Sequence, residues 1–120
     1  MTAPNLKSPT TITGKTARYA VTASLANALA NAPNSNKALK INSIFCANVD
    51  AAGNQADITV SIYDGTTYYY LAKTLTVPGN ATQIISSKDT YFYLEEGDSI
   101  RALASAASAL ELVIGYEEIE

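Results

Sequence analysis

At 120 residues, 48% of them apolar and only 16% charged, the chain fits a single domain that buries roughly two-thirds of the surface its unfolded form exposes. One cysteine, Cys46, and no histidine exclude an intrachain disulfide, the usual zinc ligand sets and the base of a serine-type triad. The net charge of −3 divides unevenly: residues 1–49 hold five basic side chains and no acid, and the remainder holds three basic side chains against all eleven acids, a split that suggests complementary surfaces within or between subunits and argues against a nucleic-acid patch.

The first stretch, "MTAPNLKSPTTITGK", is polar, so it is no secretory core, and no later run approaches the roughly 18–20 apolar residues of a spanning helix. A soluble chain made in the cytoplasm, without a membrane partner, is expected. Pro4 and Pro9 remove donors and bias their predecessors to extended geometry, and Thr10, Thr11 and Thr13 prefer strand. Residues 1–14 are therefore expected to form an extended arm and residues 15–120 the folded domain. Leu6 and Ile12 are apolar anchors on this arm. Lys7 and Lys15 give it a positive charge that suits the acids Glu111, Glu117, Glu118 and Glu120 of a neighbouring subunit.

Residues 16–24, "TARYAVTAS", read as a strand, and the Ala- and Leu-rich "LANALANA" reads as extended because Asn27, Asn31 and Pro33-Asn34 leave barely two helical turns. From residue 38 the pattern alternates with a period of two. Leu39 and Ile41 start a strand running through Ile44, Phe45 and Val49. Ile58, Val60 and Ile62 share one face, Asp64-Gly65 marks a hairpin, and Tyr69, Leu71, Leu75 and Val77 continue the alternation on the return strand. Pro78-Gly79-Asn80 breaks the ladder before "TQIIS". "TYFYL", "SIRALAS" and "LELVIGYEEI" complete eight or nine strands, the last with Leu110, Leu112 and Ile114 facing the core. The fold class is all-β, a single jelly-roll-like sandwich.

Three groups of residues carry enough chemistry to weigh. Glu95, Glu96 and Asp98 surround Gly97 and as carboxylates suit acid–base work or calcium, but a turn between two short strands accounts for them better. Adjacent glutamates on a strand point to opposite sides, and no Asp-x-Asp-x-Asp-Gly ladder is present. Tyr68 and Tyr70 share a strand face, suiting either sheet packing and subunit contact or a sugar-stacking platform. Cys46, among apolar neighbours, reads as a buried small side chain rather than a reactive thiol. Neither a G-x-S-x-G elbow nor a phosphate-binding glycine loop occurs. No catalytic residue, cofactor or metal is expected.

The order of "ALKINSIFCANVD", "ITVSIYD", "LAKTLTVPGNAT", "YLEEGDSIRALASA" and "GYEEIE" resembles small virion structural proteins of tailed phages, especially cyanophage-like and marine ones, over residues 12–120. The resemblance implies a place in the particle rather than a reaction, and it transfers no functional residue. Capsid decoration, or cement, on a major capsid protein is the leading expectation. Attachment at the neck, tail or fibre, or a carbohydrate-binding module using Tyr68 and Tyr70, are the alternatives. The expected assembly is a homo-oligomer, with a trimer as the guess, and the assembly contacts are expected at Leu6, Lys7, Ile12, Lys15, Tyr68, Tyr70, Glu117 and Glu118.

Overall fold

The structure, a computed structural model, describes residues 4–120. Nine strands form in chain order: β1 (Ile12–Ala20), β2 (Ala26–Ala30), β3 (Ala38–Asn48), β4 (Ala56–Tyr63), β5 (Tyr68–Val77), β6 (Thr82–Ser86), β7 (Phe92–Leu94), β8 (Ser99–Ala104) and β9 (Leu110–Ile119). The first sheet runs β1-β9-β3-β6, with β7 also paired to β3, and the second runs β2-β8-β4-β5. All pairings are antiparallel. They nest: first strand with last, second with second-to-last, third with the β6 and β7 pair, fourth with fifth. A chain folded as one long hairpin and then wrapped into two sheets gives this order, which is that of a jelly roll. β6 lies against Ile44–Ala47 and β7 against Leu39–Ile41, so they are one edge strand interrupted by the short 3-10 turn Lys88–Thr90.

Period-two alternation, interrupted in β3 by one shift of register between Ile41 and Ser43, places the core. Leu39, Ile41, Ile44 and Cys46 of β3 and Leu110, Leu112 and Ile114 of β9 close against Ile58 and Val60 of β4 and Ile100, Ala102 and Ala104 of β8. Each large aliphatic side chain so buried contributes about 1.5–3 kcal/mol. Val77 is also fully buried and Leu71 packs against the core. Tyr69 and Leu75 lie opposite Ile62 and Ile58 on the same side of the sheet, yet they are 59% and 36% exposed because β5 is the outer strand of its sheet. The β4–β5 pairing shifts between Ile58 and Val60 and again between Val60 and Ser61, two steps that restore the phase, and Thr74 takes a positive φ of 48°. Such bulges blunt an edge strand.

Residues 12–14, read from the sequence as the end of the arm, are the first residues of β1. The β1–β9 ladder runs without a shift from Ile12 opposite Ile119 to Ala20 opposite Glu111, and the Thr11 amide extends it to the Glu120 carbonyl at 2.9 Å. Before it the chain turns, with the Ser8 amide donating to the Asn5 carbonyl at 3.0 Å.

Two buried asparagines fasten the ends of the sandwich. Asn31 Nδ2 donates to the carbonyls of Lys37 and Leu94 at 2.9 and 3.0 Å, and its Oδ1 accepts from Ser35 Oγ. Asn48 Nδ2 donates to the carbonyls of Asn54 and Val77 at 2.9 and 3.0 Å, and its Oδ1 accepts from the Asp50 amide. Each amide thus satisfies one loop carbonyl and one at the end of a strand; a buried polar group left unpaired costs about 1–3 kcal/mol.

Candidate functional site

The acidic stretch is a turn joining β7 to β8. Gly97 has φ +90°, a region that disfavours side chains with a Cβ. The Asp98 amide donates to the Glu95 carbonyl, and Asp98 Oδ2 accepts from the Glu95 amide, both at 3.0 Å. Glu96 Oε2 accepts from the Asn36 amide at 3.1 Å. Asn31 holds the turn by its backbone, accepting from the Gly97 amide and donating to the Asp98 carbonyl. Two of the carboxylates are therefore occupied in fixing loops. Among the described residues, no three His, Cys, Asp or Glu side chains are grouped to hold a metal ion. Burial pushes the Cys46 thiol up to about 11, so it stays protonated inside the core.

The chemistry of the molecule lies on its two outward faces, and they differ. On the first sheet, cross-strand pairing aligns Arg18 (β1), Val113 (β9), Phe45 (β3) and Ile84 (β6) in one row. Val113, Phe45 and Ile84 are 41%, 37% and 61% exposed, a contiguous apolar strip across the sheet. Charges of both signs surround it. Glu111 lies two residues along β9 in one direction, and Glu117 and Lys40, opposite each other, lie in the other. Lys40 Nζ sits 4.4 Å from the ring centre of Tyr91, which packs edge-on to Tyr93. A hollow of about 310 Å³ lined by Arg18, Glu111 and Val113 opens beside the strip.

On the second sheet the corresponding row is Asn27 (β2), Arg101 (β8), Ser61 (β4) and Tyr70 (β5), with Tyr63 and Tyr68 opposite each other one step along. The Tyr63 and Tyr68 rings stack with centres 4.3 Å apart. The Arg101 guanidinium lies 4.4 Å from the Tyr63 ring centre and donates from Nη1 to Tyr68 Oη at 3.3 Å. Lys73 Nζ lies 5.2 Å from the ring centre of Tyr70. Tyr68 and Tyr70 do share a face, as the alternation predicts. Arg101 and Tyr63, which complete this group, were not legible as site residues. Their only signal is the outward phase of "SIRALA" and "ITVSIY", and sequence does not say which strands become neighbours.

The remaining singled-out residues sit at the N- and C-terminal margin. Lys15 and Lys37 both reach Glu118 of their own chain, each at 3.2 Å. Partial burial alone would raise the Glu118 carboxyl, but the hydrogen bonds and charges of the two lysines outweigh it and hold it below its ordinary value. Leu6, Lys7 and Ile12 are exposed, and Glu117 is half-buried.

The chain matches no family model and no curated protein. Among solved structures it is similar to a chain of the acidic stable capsid structure of Helicobacter pylori bacteriophage KHP30. That likeness has 14% identity over 94% of this chain and 90% of the other, with a TM-score of 0.54. It is also similar to a pentameric capsid protein isolated from metagenomic phage sequences, at 17% identity over 87% of this chain and 60% of the other, with a TM-score of 0.42. The likeness to the KHP30 chain is one of fold, an all-β sandwich.

Proposed function

We propose that the chain is a non-enzymatic structural subunit of a bacteriophage particle, and within that class a capsid decoration protein. The observation that carries this reading is the Val113–Phe45–Ile84 strip on the outward face of the first sheet. A row of large apolar side chains left in water is unfavourable unless another surface covers it, and an apolar centre inside a charged rim is the anatomy of a protein–protein contact. The fold likeness to a chain of a phage capsid structure supports the particle as the setting. The partner in this reading is the major capsid protein, with contacts between copies of this chain adding to it. Leu6, Lys7 and Ile12 at the exposed start of the chain, with Glu117 at the rim, are proposed as secondary contacts. Lys15 and Glu118 pair within the chain, so their part in assembly is to fix the end of β1.

Quantitative mass spectrometry of purified particles tests the reading. A decoration protein is expected at many copies, in a simple ratio to the shell subunit. Absence from particles would overturn the virion role, and a handful of copies would overturn decoration in favour of a neck or tail position.

A further inference from the structure

The outward face of the second sheet is left over by that reading, and its chemistry is of another kind. Two cations, Arg101 and Lys73, stand among aromatic rings. Among the described residues neither has a carboxylate partner, since the ion pairs are those of Lys15 and Lys37 with Glu118. Arg101 Nε and the neighbouring Ser61 Oγ are buried without a hydrogen-bond partner among the described residues. The nearby acids are committed elsewhere: Asp64 accepts from the amides of Thr66 and Thr67 in the hairpin turn, and Asp57 accepts from Thr76 Oγ1. Arg101 is held in place by the Tyr63 ring beneath it and the Tyr68 hydroxyl beside it. A guanidinium so fixed has lost its side-chain freedom before any ligand arrives, which lowers the cost of binding a planar anion.

What surrounds the cations decides the ligand class. The rings of Tyr68 and Tyr70 are 36% and 55% exposed, flat apolar surfaces edged with hydroxyls. One step farther along the same face lies a hollow of about 300 Å³, in which Ala23, Leu103 and Ala104 supply an apolar floor and Asp57, Thr59, Thr74 and Ser105 polar groups. The face has no aliphatic strip comparable to that of the first sheet; its exposed apolar area is that of ring planes. Aromatic planes take up the C–H face of a sugar ring, and hydroxyl groups suit its polar edge. We infer that the outward face of the second sheet binds carboxylated saccharides, with Arg101 and Lys73 receiving the carboxylate, Tyr68 and Tyr70 carrying the ring, and the Thr59–Ser105 hollow accepting a further sugar unit.

The test is titration of the purified full chain, followed by nuclear magnetic resonance, with four monosaccharides and one peptide. Glucuronic acid and N-acetylneuraminic acid supply carboxylates, glucose and N-acetylglucosamine do not, and pentaglutamate supplies carboxylates without a sugar. The acidic sugars are expected to bind, with shifts at Arg101 and Tyr70, about tenfold or more tightly than the neutral ones. Arg101→Gln should remove that preference, and Tyr70→Ala, at an exposed position that the fold does not use, should weaken every sugar several-fold. Arg101→Lys should restore part of the preference and shows that its loss is not unfolding. No binding at millimolar concentration, equal binding of neutral and acidic sugars, or pentaglutamate binding at least as well as the sugars would each overturn the inference. Because the measurement uses the isolated chain, its failure leaves the virion reading untouched.

Discussion

The two outward faces are built on the same kind of antiparallel scaffold, yet one presents Val113, Phe45 and Ile84 in a row and the other presents Arg101 among tyrosines. The difference teaches how a small sandwich can present two chemically unlike surfaces. A face covered by a protein gains from apolar area that water leaves on docking, whereas a face that meets a hydrated ligand needs fixed charges and ring planes that remain soluble when empty. The inner faces of both sheets are shared in one core, so either outward face can change without repacking the other.

The largest effect that would sharpen this contrast is on docking. Phe45→Glu with Ile84→Glu places two carboxylates in the strip, and the copy number per particle is expected to fall about a hundredfold by mass spectrometry. Tyr70→Ala is expected to leave it unchanged. Equal losses from both would erase the distinction between the faces.

Next comes the frame that holds the strip. Gly79 lies in the loop from β5 to β6, where a Cβ would run into the carbonyl of Gly53. Gly79→Ala must shift one backbone or the other, and a loss of more than about 2 kcal/mol in denaturant unfolding is expected. Gly97→Val forces a β-branched side chain to φ +90° and should lose more than about 1 kcal/mol.

Smaller still is the charge at the end of the sandwich, which belongs to neither face. Glu118 is held below its usual range, so the stability it contributes is present above the unfolded glutamate value of about 4.3 and is lost as pH falls through the lower folded value. Glu118→Gln should therefore be about 1 kcal/mol less stable at pH 7, discounted for the partly exposed lysines, and should converge with the wild type in acid. Glu95→Gln should change stability by less than about 0.5 kcal/mol, because its side chain carries none of the turn's hydrogen bonds. A metal-dependent melting temperature would overturn that view of the turn.

Much of the sandwich is legible in the sequence because it rests on local rules. Leu110, Leu112 and Ile114 alternate into the core, Asp64-Gly65 turns a hairpin, and Gly97 turns the acidic stretch. β3 is where strict alternation fails: Ile41 and Ile44, three apart, are both buried because the pairing with β9 shifts between Ile41 and Ser43, and no pattern within "ALKINSIFCAN" announces it. The N-terminal boundary has the same origin, since Ile12–Gly14 become strand only because β9 lies beside them. For the candidate sites, tyrosines at alternate positions showed half of the second face. Arg101 became part of it through β8 lying between β2 and β4, a long-range choice. The apolar strip is dispersed over three strands distant in sequence, and each of its members alone looks like an ordinary strand residue.

Footprinting of tyrosines by oxidative labelling, on free protein and on assembled particles, tests the central claim most directly. Tyr91 and Tyr93 lie on the side of the apolar strip, and Tyr68 and Tyr70 lie on the outward face of the second sheet; in the free chain Tyr91 and Tyr70 are about half exposed and Tyr93 and Tyr68 about a third. On particles Tyr91 and Tyr93 are predicted to become protected while Tyr68 and Tyr70 keep the labelling of the free chain. Protection of Tyr68 and Tyr70 with Tyr91 and Tyr93 still open would contradict the account, because the chain would then dock by the face assigned here to sugars.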